Sequence, residues 1–565
     1  MKLERKPLRG ALIASLLTLL GGFVYFYFAL PAINIHNLDA YVFAAILVIV
    51  WSSLYAVFSH TITHETGEKT PKDYLDVDEN GNVIRKRYRG NGRKPAVFSM
   101  KIPTAILLVM AVVAVVGTVV GLPIFRAKAY SNLLKVETGD FASDIKEVSF
   151  KQIPMLDSDA AQVLADRKLG ELSDLVSQFE VADITTQINY QDAPVRVTYL
   201  NYGDPFKWLN NVSQGIPAYI IIDMVTQEVT VQRLEDGIRY SPSEYFFRDT
   251  MRHLRFQYPT KMFSDVEFEI DEDGHPWWIA SVVTKTIGLF GGEDVVGAVL
   301  MDAVTGESTY YDVADVPAWV DRVCPSSLIV SQYNDYGRLH NGFLNSIFGQ
   351  REVTVTTEGY NYIAQDDDVW LYTGITSVTG DESIVGFILV NQRTKEANYY
   401  PMAGAKEYSA RDSAQGAVQQ YGYKATFPLL LNVSGQPTYF MALKDASQLV
   451  KMYAMVNVQQ YQVVATGSTL AQCEKNYRNL LSEYNIHVGA ESQDSITGTV
   501  AEIRSAVLEG NTRYFIRLEG ESWFYTISIT DAQICAVLNP GDRVSIGAYD
   551  TTGELRSAVS VARAS

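Results

Sequence analysis

The sequence predicts three transmembrane α-helices, then a multi-domain α+β region of tandem helix-plus-antiparallel-sheet repeats, and finally a small C-terminal β-barrel. Three observations support this prediction: long uncharged apolar runs within the first 125 residues, a turn-and-strand phrase that recurs four times, and five short strands near the C-terminus. At about 150 residues per domain, a chain of 565 residues can bury several hydrophobic cores.

Residues 1–125 are predicted to form a membrane anchor. The three uncharged apolar runs span about 10–31, 40–59 and 102–125. A helix needs about 20 apolar residues to cross the hydrocarbon core of a bilayer, so each run is long enough. The buried helices of soluble domains keep a polar face, and these runs have none.

The distribution of Lys and Arg predicts the orientation of the anchor. All 13 basic residues of the first 125 lie before residue 10 or in the loop 60–101, and the link between the first two runs has none. Basic loops stay on the cytoplasmic side of a membrane. We therefore expect a plasma-membrane protein with a cytoplasmic N-terminus, a cytoplasmic loop at 60–101 and an extracytoplasmic region at 126–565.

The net charge separates the two parts of the chain. The first 125 residues carry +5, so the total of −17 leaves −22 for the remaining 440 residues. Such a negative region repels nucleic acid and anionic lipid headgroups. The composition therefore argues against a nucleic-acid partner.

One short sequence motif, which we call the phrase, recurs after four apolar strands. Each copy begins with an Asp or Asn, namely Asp223, Asp302, Asn391 and Asn457. Thr follows at the third position and Glu at the fifth in three copies, whereas the fourth copy has Gln at both places. An Asp or Asn that opens a turn accepts hydrogen bonds from the backbone two residues on, and β-branched and aromatic flanks favour strands. The phrase therefore predicts a β-hairpin rather than a cluster of catalytic carboxylates.

An amphipathic helix is predicted before each pair of hairpins. The helices are predicted from a stripe of Leu172, Leu175, Val176 and Phe179, from a start at Ser241-Pro242, from residues 326–337, and from a stripe of Ala410, Ala414, Ala417 and Val418. The predicted organisation is a juxtamembrane linker at 126–155, followed by α+β repeats at 156–235, 236–320, 321–404 and 405–490.

The second copy resembles the PepSY family. Its V-V-G-A-V-L-M-D-A-V-T-G-E-S-T-Y-Y at 295–311, with D-G-H-P-W-W upstream, is similar to the turn-Pro-aromatic strand and Asp-x-x-Thr-Gly-Glu strand end of those modules. The first and third copies have Gln227 and Lys395 in place of the Gly. The resemblance covers about 160–465, and it implies a cystatin-like α+β fold, a cell-envelope location and a binding or inhibitory role.

Residues 491–565 contain five candidate strands that suggest a small barrel similar to the OB-fold. The strands are predicted at 496–503, 514–518, 523–529, 543–549 and 555–561. An oligonucleotide-binding barrel places aromatic residues in a basic groove. Residues 495–565 have 6 Arg and no Lys against 8 acidic residues, so a structural or protein-binding use is expected.

The sequence predicts no catalytic, cofactor-binding or metal-ligating residue. His60 and His64 imitate the end of a zinc finger, but no cysteine precedes Cys324. The segment that starts at Asp76 imitates a calcium loop, but Arg87 replaces the required Glu. A cytoplasmic hairpin that turns at Asn80-Gly81 explains it better.

These observations predict a non-catalytic, membrane-anchored extracytoplasmic binding or scaffold protein of the bacterial cell envelope. Its expected partners are other envelope proteins or wall components. Two alternatives remain: an inhibitor or regulator of an extracytoplasmic peptidase, and a subunit of a secretion or transfer assembly. The last would use the small residues Ala111, Ala114, Gly117 and Gly121 to pack against other spans.

Overall fold

The computed structural model describes most of the chain. The described residues are 5–64, 74–77, 83–86, 101–145, 153–365, 367–379, 383–484, 486, 494–508, 511–529, 532–548 and 555–564. Three helices that are long and apolar enough to cross a membrane are followed by a region built mostly of β-sheets.

The anchor consists of α1 (Arg5–Ala29), α2 (Leu38–His64) and α3 (Lys101–Val120). The prediction of three apolar spanning helices is confirmed. The third helix ends five residues before the predicted end at 125, because Pro123 has no N–H to continue the ladder and starts a new helix instead.

The predicted cytoplasmic loop contains a short antiparallel hairpin. Strands β1 (Tyr74–Val77) and β2 (Val83–Lys86) pair from Tyr74 opposite Lys86 to Val77 opposite Val83. The predicted turn at Asn80-Gly81 lies outside the described residues.

The segment predicted as a juxtamembrane linker at 126–155 contains secondary structure in its described residues. It contains α4 (Pro123–Ser131), β3 (Val136–Thr138) and α5 (Phe141–Asp144). Strand β3 pairs in parallel with a strand at Ala397–Ala405, which is more than 250 residues away in sequence. Such long-range pairing leaves no local periodicity in the sequence from which it could be predicted.

Unit I (158–238) is the first sheet with its helices. It comprises α6 (Ser158–Gly170), α7 (Ser173–Val176), β4 (Phe179–Val181), β5 (Thr186–Tyr190), β6 (Ala193–Tyr202), α8 (Pro205–Asn211), β7 (Ile216–Asp223) and β8 (Val229–Ile238). The sheet order is β4–β6–β7–β8, and β5 also pairs with β6.

The helix predicted from the stripe of Leu172, Leu175, Val176 and Phe179 is wrong. Only one helical turn forms there, and Phe179 begins β4. The helix of this unit is α6, which buries Ala160, Ala161, Ala165 and Leu169. Alanine is small enough to let a helix approach a sheet closely, but it gives a weaker apolar stripe than leucine does.

Unit II (250–312) contains the longest hairpin of the four sheets. It comprises α9 (Thr250–Gln257), β9 (Met262–Ile270), β10 (Pro276–Ile287), β11 (Gly291–Asp302) and β12 (Ser308–Asp312), in the sheet order β12–β11–β10–β9. The helix does not start at Ser241-Pro242 as predicted. Asp249 caps it by accepting a hydrogen bond from the Arg252 N–H, which satisfies a donor of the first turn.

Units III (326–405) and IV (407–467) repeat the arrangement of a helix followed by an antiparallel sheet. Unit III comprises α10 (Ser326–Leu339), β13 (Thr354–Thr356), β14 (Asn361–Gln365), β15 (Asp368–Ser377), β16 (Ser383–Asn391) and β17 (Ala397–Ala405). Unit IV comprises α11 (Glu407–Ala417), β18 (Lys424–Ala425), β19 (Leu429–Val433), β20 (Gln436–Lys444), β21 (Val450–Asn457) and β22 (Val464–Gly467), and α12 (Leu470–Glu483) follows it.

The sheet of unit II is buried on both faces. Trp278 and Ala280 of β10 lie in a core shared with unit I, whereas their neighbours Ile279 and Val283 lie in a core shared with unit III. Strand β15 of unit III is also buried on both faces, and its Tyr372 lies in a core shared with unit IV. Burial on both faces explains why these strands are continuous apolar runs rather than alternating ones. The four units therefore form one block with interlocking cores.

The C-terminal region has five strands that pair in a closed order. These are β23 (Asp494–Leu508), β24 (Asn511–Leu518), β25 (Phe524–Ser528), β26 (Arg543–Ala548) and β27 (Leu555–Arg563), ordered β23–β24–β25–β27–β26. The similarity of this barrel to the OB-fold remains a prediction.

The recurring phrase forms a hairpin turn in each unit. In the first three copies, the side-chain oxygen of Asp223, Asp302 or Asn391 accepts hydrogen bonds from the backbone N–H groups two and three residues on, at 2.7–3.0 Å. Asn457 does the same in the fourth copy. In the first three copies, the residue four positions after the Asp or Asn has a positive φ, and Gly306 of the second copy adopts it at no steric cost.

We expect Gly306→Ala to lower the stability of the full-length protein by about 1–3 kcal/mol. The new Cβ would meet the Tyr240 ring, and φ is +78° at this position. The measurement is the midpoint of thermal unfolding in detergent. The matched control is Gly416→Ala in α11, where a Cβ meets nothing within 4 Å and stability should hold or rise slightly. Equal midpoints for the two variants would contradict this explanation of the turn.

Candidate functional site

The main candidate site lies where unit II meets the anchor. We call this contact the seat, and it joins the α1 end and the α1–α2 loop (30–37) to α9 and the β10–β11 hairpin. Ile33 N–H donates to the Pro259 carbonyl at 2.7 Å, and Asn34 Nδ2 donates to the Thr260 carbonyl at 2.9 Å. The loop is therefore part of the folded block rather than a free connection.

Two arginines of α9 hold the end of α1. Arg252 Nε donates to the Tyr27 carbonyl at 3.1 Å, and its guanidinium lies 4.4 Å from the centroid of the Tyr27 ring. Arg255 Nε donates to the Leu30 carbonyl at 3.0 Å. Carbonyls at the end of a helix lack partners within the helix, so these two bonds satisfy them. Burial lowers the pKa of Arg255 to about 10, which leaves its guanidinium charged near neutral pH.

The tip of the β10–β11 hairpin rests on α2 and α3. Phe290 packs edge-on against Tyr41 with ring centroids 5.5 Å apart. A Cβ on Gly117 would lie 2.9 Å from Leu289, and one on Gly121 would lie 3.1 Å from the Ile287 carbonyl oxygen. Gly117 and Gly121 are two of the four small residues that we expected to pack against other spans. In the structure they lie against this hairpin.

A cavity of about 490 Å³ lies inside the seat. Its lining includes two basic side chains, Arg255 and Lys285, and two carboxylates, Asp39 and Glu293, and Lys285 pairs with Glu293. Leu30, Ala32, Leu38, Phe263 and Phe290 supply apolar walls. A cavity with both charges and an apolar side can hold a small polar or zwitterionic ligand at the border of the membrane helices.

A second site is a polar cluster with buried carboxylates at its centre, where units I, II and III meet. Glu269 is 0% exposed and accepts backbone N–H bonds from Asp321 and Arg322, both at 2.9 Å. Asp321 accepts a bond of 2.6 Å from Asn189 N–H. Arg322 donates to the Tyr362 hydroxyl at 2.8 Å. Through these hydrogen bonds the cluster ties three units together.

Another buried arginine lines a smaller cavity of about 190 Å³ between units I, III and IV. Arg196 donates to Thr185 Oγ1 and the Thr185 carbonyl at 3.2 Å, and its Nε has no hydrogen-bond partner. Burial lowers its pKa to about 10. The side chain remains a cation, and its neighbours in the cavity include Tyr360 and Phe427.

The three cysteines form no disulfide in the described structure. Cys324, Cys473 and Cys535 are buried free thiols, and burial raises their pKa values to about 12, 12 and 11. His60 and His64 lie in the last turns of α2. Among the described residues, no group of three or more His, Cys, Asp or Glu side chains is placed to hold a metal ion.

Three arginines of the barrel contact neighbouring side chains of the barrel. Glu502 pairs with Arg504 and with Arg517 at 2.5 and 3.0 Å. The Arg556 guanidinium lies 3.6 Å from the centroid of the Trp523 ring. Cation–π contacts and ion pairs inside the barrel use the groups with which a nucleic-acid site would bind phosphates and bases.

Comparison with known proteins gives no family. No protein-family model and no curated protein matches the chain. Among solved structures, a point mutant of the B. megaterium levansucrase is 9% identical, covers 76% of this chain and 96% of its own, and has a TM-score of 0.18. The Bacillus subtilis levansucrase is also 9% identical, with coverages of 75% and 94% and a TM-score of 0.17. Similarity this low carries no argument about fold or function.

Sequence analysis did not find the residues of the seat or of the buried cluster. Arg252 and Arg255 belong to no motif, and a charged pair three residues apart on a helix is typical of a solvated face. Glu269 alternates with Phe268 and Ile270 along β9, which signals a strand with one polar face. Only the packing of unit III against that face shows that it is buried.

We expect the stability of the protein to fall as the pH rises from about 4.5 to about 7. Burial raises the pKa of Glu269 from its ordinary 4.5 to about 7, and burial followed by the neighbouring Glu269 raises that of Asp321. The folded state then binds more protons than the unfolded state in this window, so the free energy of unfolding falls. At pH values above the pKa values of Glu269 and Asp321 in the folded state, their contribution to the free energy of unfolding no longer changes with pH.

Glu269→Gln should flatten this pH dependence, because the variant side chain does not titrate. The measurement is the thermal midpoint of the full-length protein at several pH values between 4.5 and 8. The control is Glu272→Gln, an exposed carboxylate in the neighbouring turn, which should keep the wild-type slope. A wild-type slope in Glu269→Gln would show that Glu269 is not the titrating group.

Proposed function

We propose that the protein is a membrane-anchored extracytoplasmic binding or scaffold protein of the bacterial cell envelope. The observation that supports this best is the seat. A soluble domain on a flexible tether needs no contact with its anchor, whereas here hydrogen bonds, ring contacts and a hairpin tip fix the block on three helices. A fixed height and orientation above a membrane suit a protein that presents a surface to a partner.

The proposed orientation fits the packing of the anchor. The loop 30–37 and the end of α3 both contact unit II. They therefore lie at the same end of the helix bundle, opposite the basic segments before residue 10 and in the loop 60–101. Basic loops favour the cytoplasm, so the block of four units would be extracytoplasmic.

Binding of a protein or wall component is favoured over nucleic acid. The 440 residues after the anchor carry −22, and the barrel arginines described above are held by Glu502 and by aromatic rings. The PepSY resemblance keeps the regulator of an extracytoplasmic peptidase as an alternative. A transfer-assembly subunit is less favoured, because Gly117 and Gly121 already receive the hairpin tip.

Position-specific photocross-linking of the full-length protein in native membranes tests the proposal. A photoreactive phenylalanine analogue replaces one exposed aromatic side chain at a time, with little change of shape. The positions are Phe348 in unit III, and Tyr421 and Tyr461 in unit IV. We expect adducts to one defined envelope protein or wall component from a subset of these positions, because a scaffold presents one face to its partner.

The matched control places the same analogue at Phe440, which is 1% exposed and should give no intermolecular adduct. If all exposed positions give only adducts within the chain, the scaffold proposal is wrong. Adducts to a peptidase, together with raised proteolysis after deletion of 126–565, would favour the regulator instead.

A further inference from the structure

A cluster of large apolar side chains lies exposed beside the end of α1. We call it the aromatic patch, and it consists of Phe206 and Leu209 of α8 and Tyr245, Phe246 and Phe247 of the segment before α9. Their exposed fractions are 79, 61, 41, 63 and 51%. Contiguous exposed apolar surface of this kind marks a site of contact with a protein or a membrane.

The patch is built as one rigid surface. The Trp208 ring of α8 lies 4.8 Å from the ring of Tyr245 and 6.0 Å from that of Phe246. These ring contacts join α8 to the segment before α9. Trp208 Nε1 donates to the buried Glu244 at 2.7 Å. Arg248 donates to the Val212 carbonyl at 2.6 Å, which fixes the end of α8.

The patch continues directly into the membrane anchor. The Phe247 ring lies 5.5 Å from Tyr27 near the end of α1. Phe256 of α9 contacts Phe26 at 5.3 Å and Phe23 at 6.2 Å, about one turn further into the span. The patch thus lies at the level where the apolar part of α1 ends, and the bilayer surface passes through that level.

The backbone displays one of these side chains at a cost. Phe246 has φ of +55°, a region that a bulky side chain rarely occupies. The Arg252 guanidinium donates to the Phe246 carbonyl at 2.6 Å and so stabilises this conformation. Strained conformations of this kind occur where a fold holds a residue for function.

We propose that the aromatic patch inserts into the interfacial layer of the bilayer next to α1. Aromatic and apolar side chains partition into this layer, and the patch would bury its exposed rings there as an amphipathic surface helix does. The block would then rest on the membrane through two contacts, the seat on the helices and the patch on lipid. With the block fixed on its helices, this second contact would restrict tilting of the whole molecule relative to the bilayer.

The test places a nitroxide spin label at the patch in the full-length protein reconstituted in lipid nanodiscs. The variants are Phe206→Cys and Phe246→Cys, and Leu209→Cys serves if a conformational change follows from substitution at Phe246. The three native thiols are buried with raised pKa values, so unsubstituted protein gives the labelling background. Collision rates are measured with oxygen, which enters lipid, and with a water-soluble nickel chelate.

The matched control is Tyr421→Cys, at a 57% exposed aromatic side chain in unit IV. We expect a severalfold higher oxygen-to-nickel ratio at the patch than at the control. A ratio equal to the control would overturn the proposal, because the patch would then face water. Protection from both reagents would also overturn it, because the patch would then be covered by protein.

Discussion

The structure depends on the β10–β11 hairpin, whose two ends have different environments. At one end, Trp278 and Ile279 point to opposite faces of the sheet and join the cores of units I and III. At the other end, Leu289 and Phe290 lie on α3 and α2. A strand of twelve residues is about 40 Å long, so one element links the centre of the block to the membrane helices.

Because the sheet of unit II is buried on both faces, polar side chains on its strands need hydrogen-bond partners within the fold. The buried cluster supplies these partners. Glu269 faces unit III from the same strand whose Phe268 and Ile270 face unit I. A carboxylate in such a place needs hydrogen bonds, and the backbone N–H groups of Asp321 and Arg322 supply them. The segment around residue 321 is thereby held between two sheets.

Local features of the sequence predicted much of this architecture. The three apolar helices follow from composition, and the turn at Asp302 follows from Asx chemistry that acts within four residues. Features that depend on contacts between residues far apart in sequence were not predicted. The alanine stripe of α6, the pairing of β3 with β17 and the partners of Arg255 are set by surfaces brought together only in the folded chain. The same holds for the aromatic patch, because α8 and the segment at 245–247 are separated by two strands in sequence.

The central claim is that the block is fixed on its anchor. The most direct measurement is the distance distribution between spin labels at Leu16 in α1 and Asp273 in the β9–β10 turn, both exposed, in the full-length protein in nanodiscs. The account predicts one narrow distribution, which broadens when Arg255→Ala removes the bond to the Leu30 carbonyl. A broad distance distribution in the protein that keeps Arg255 would show that the block is a tethered domain and would contradict the account.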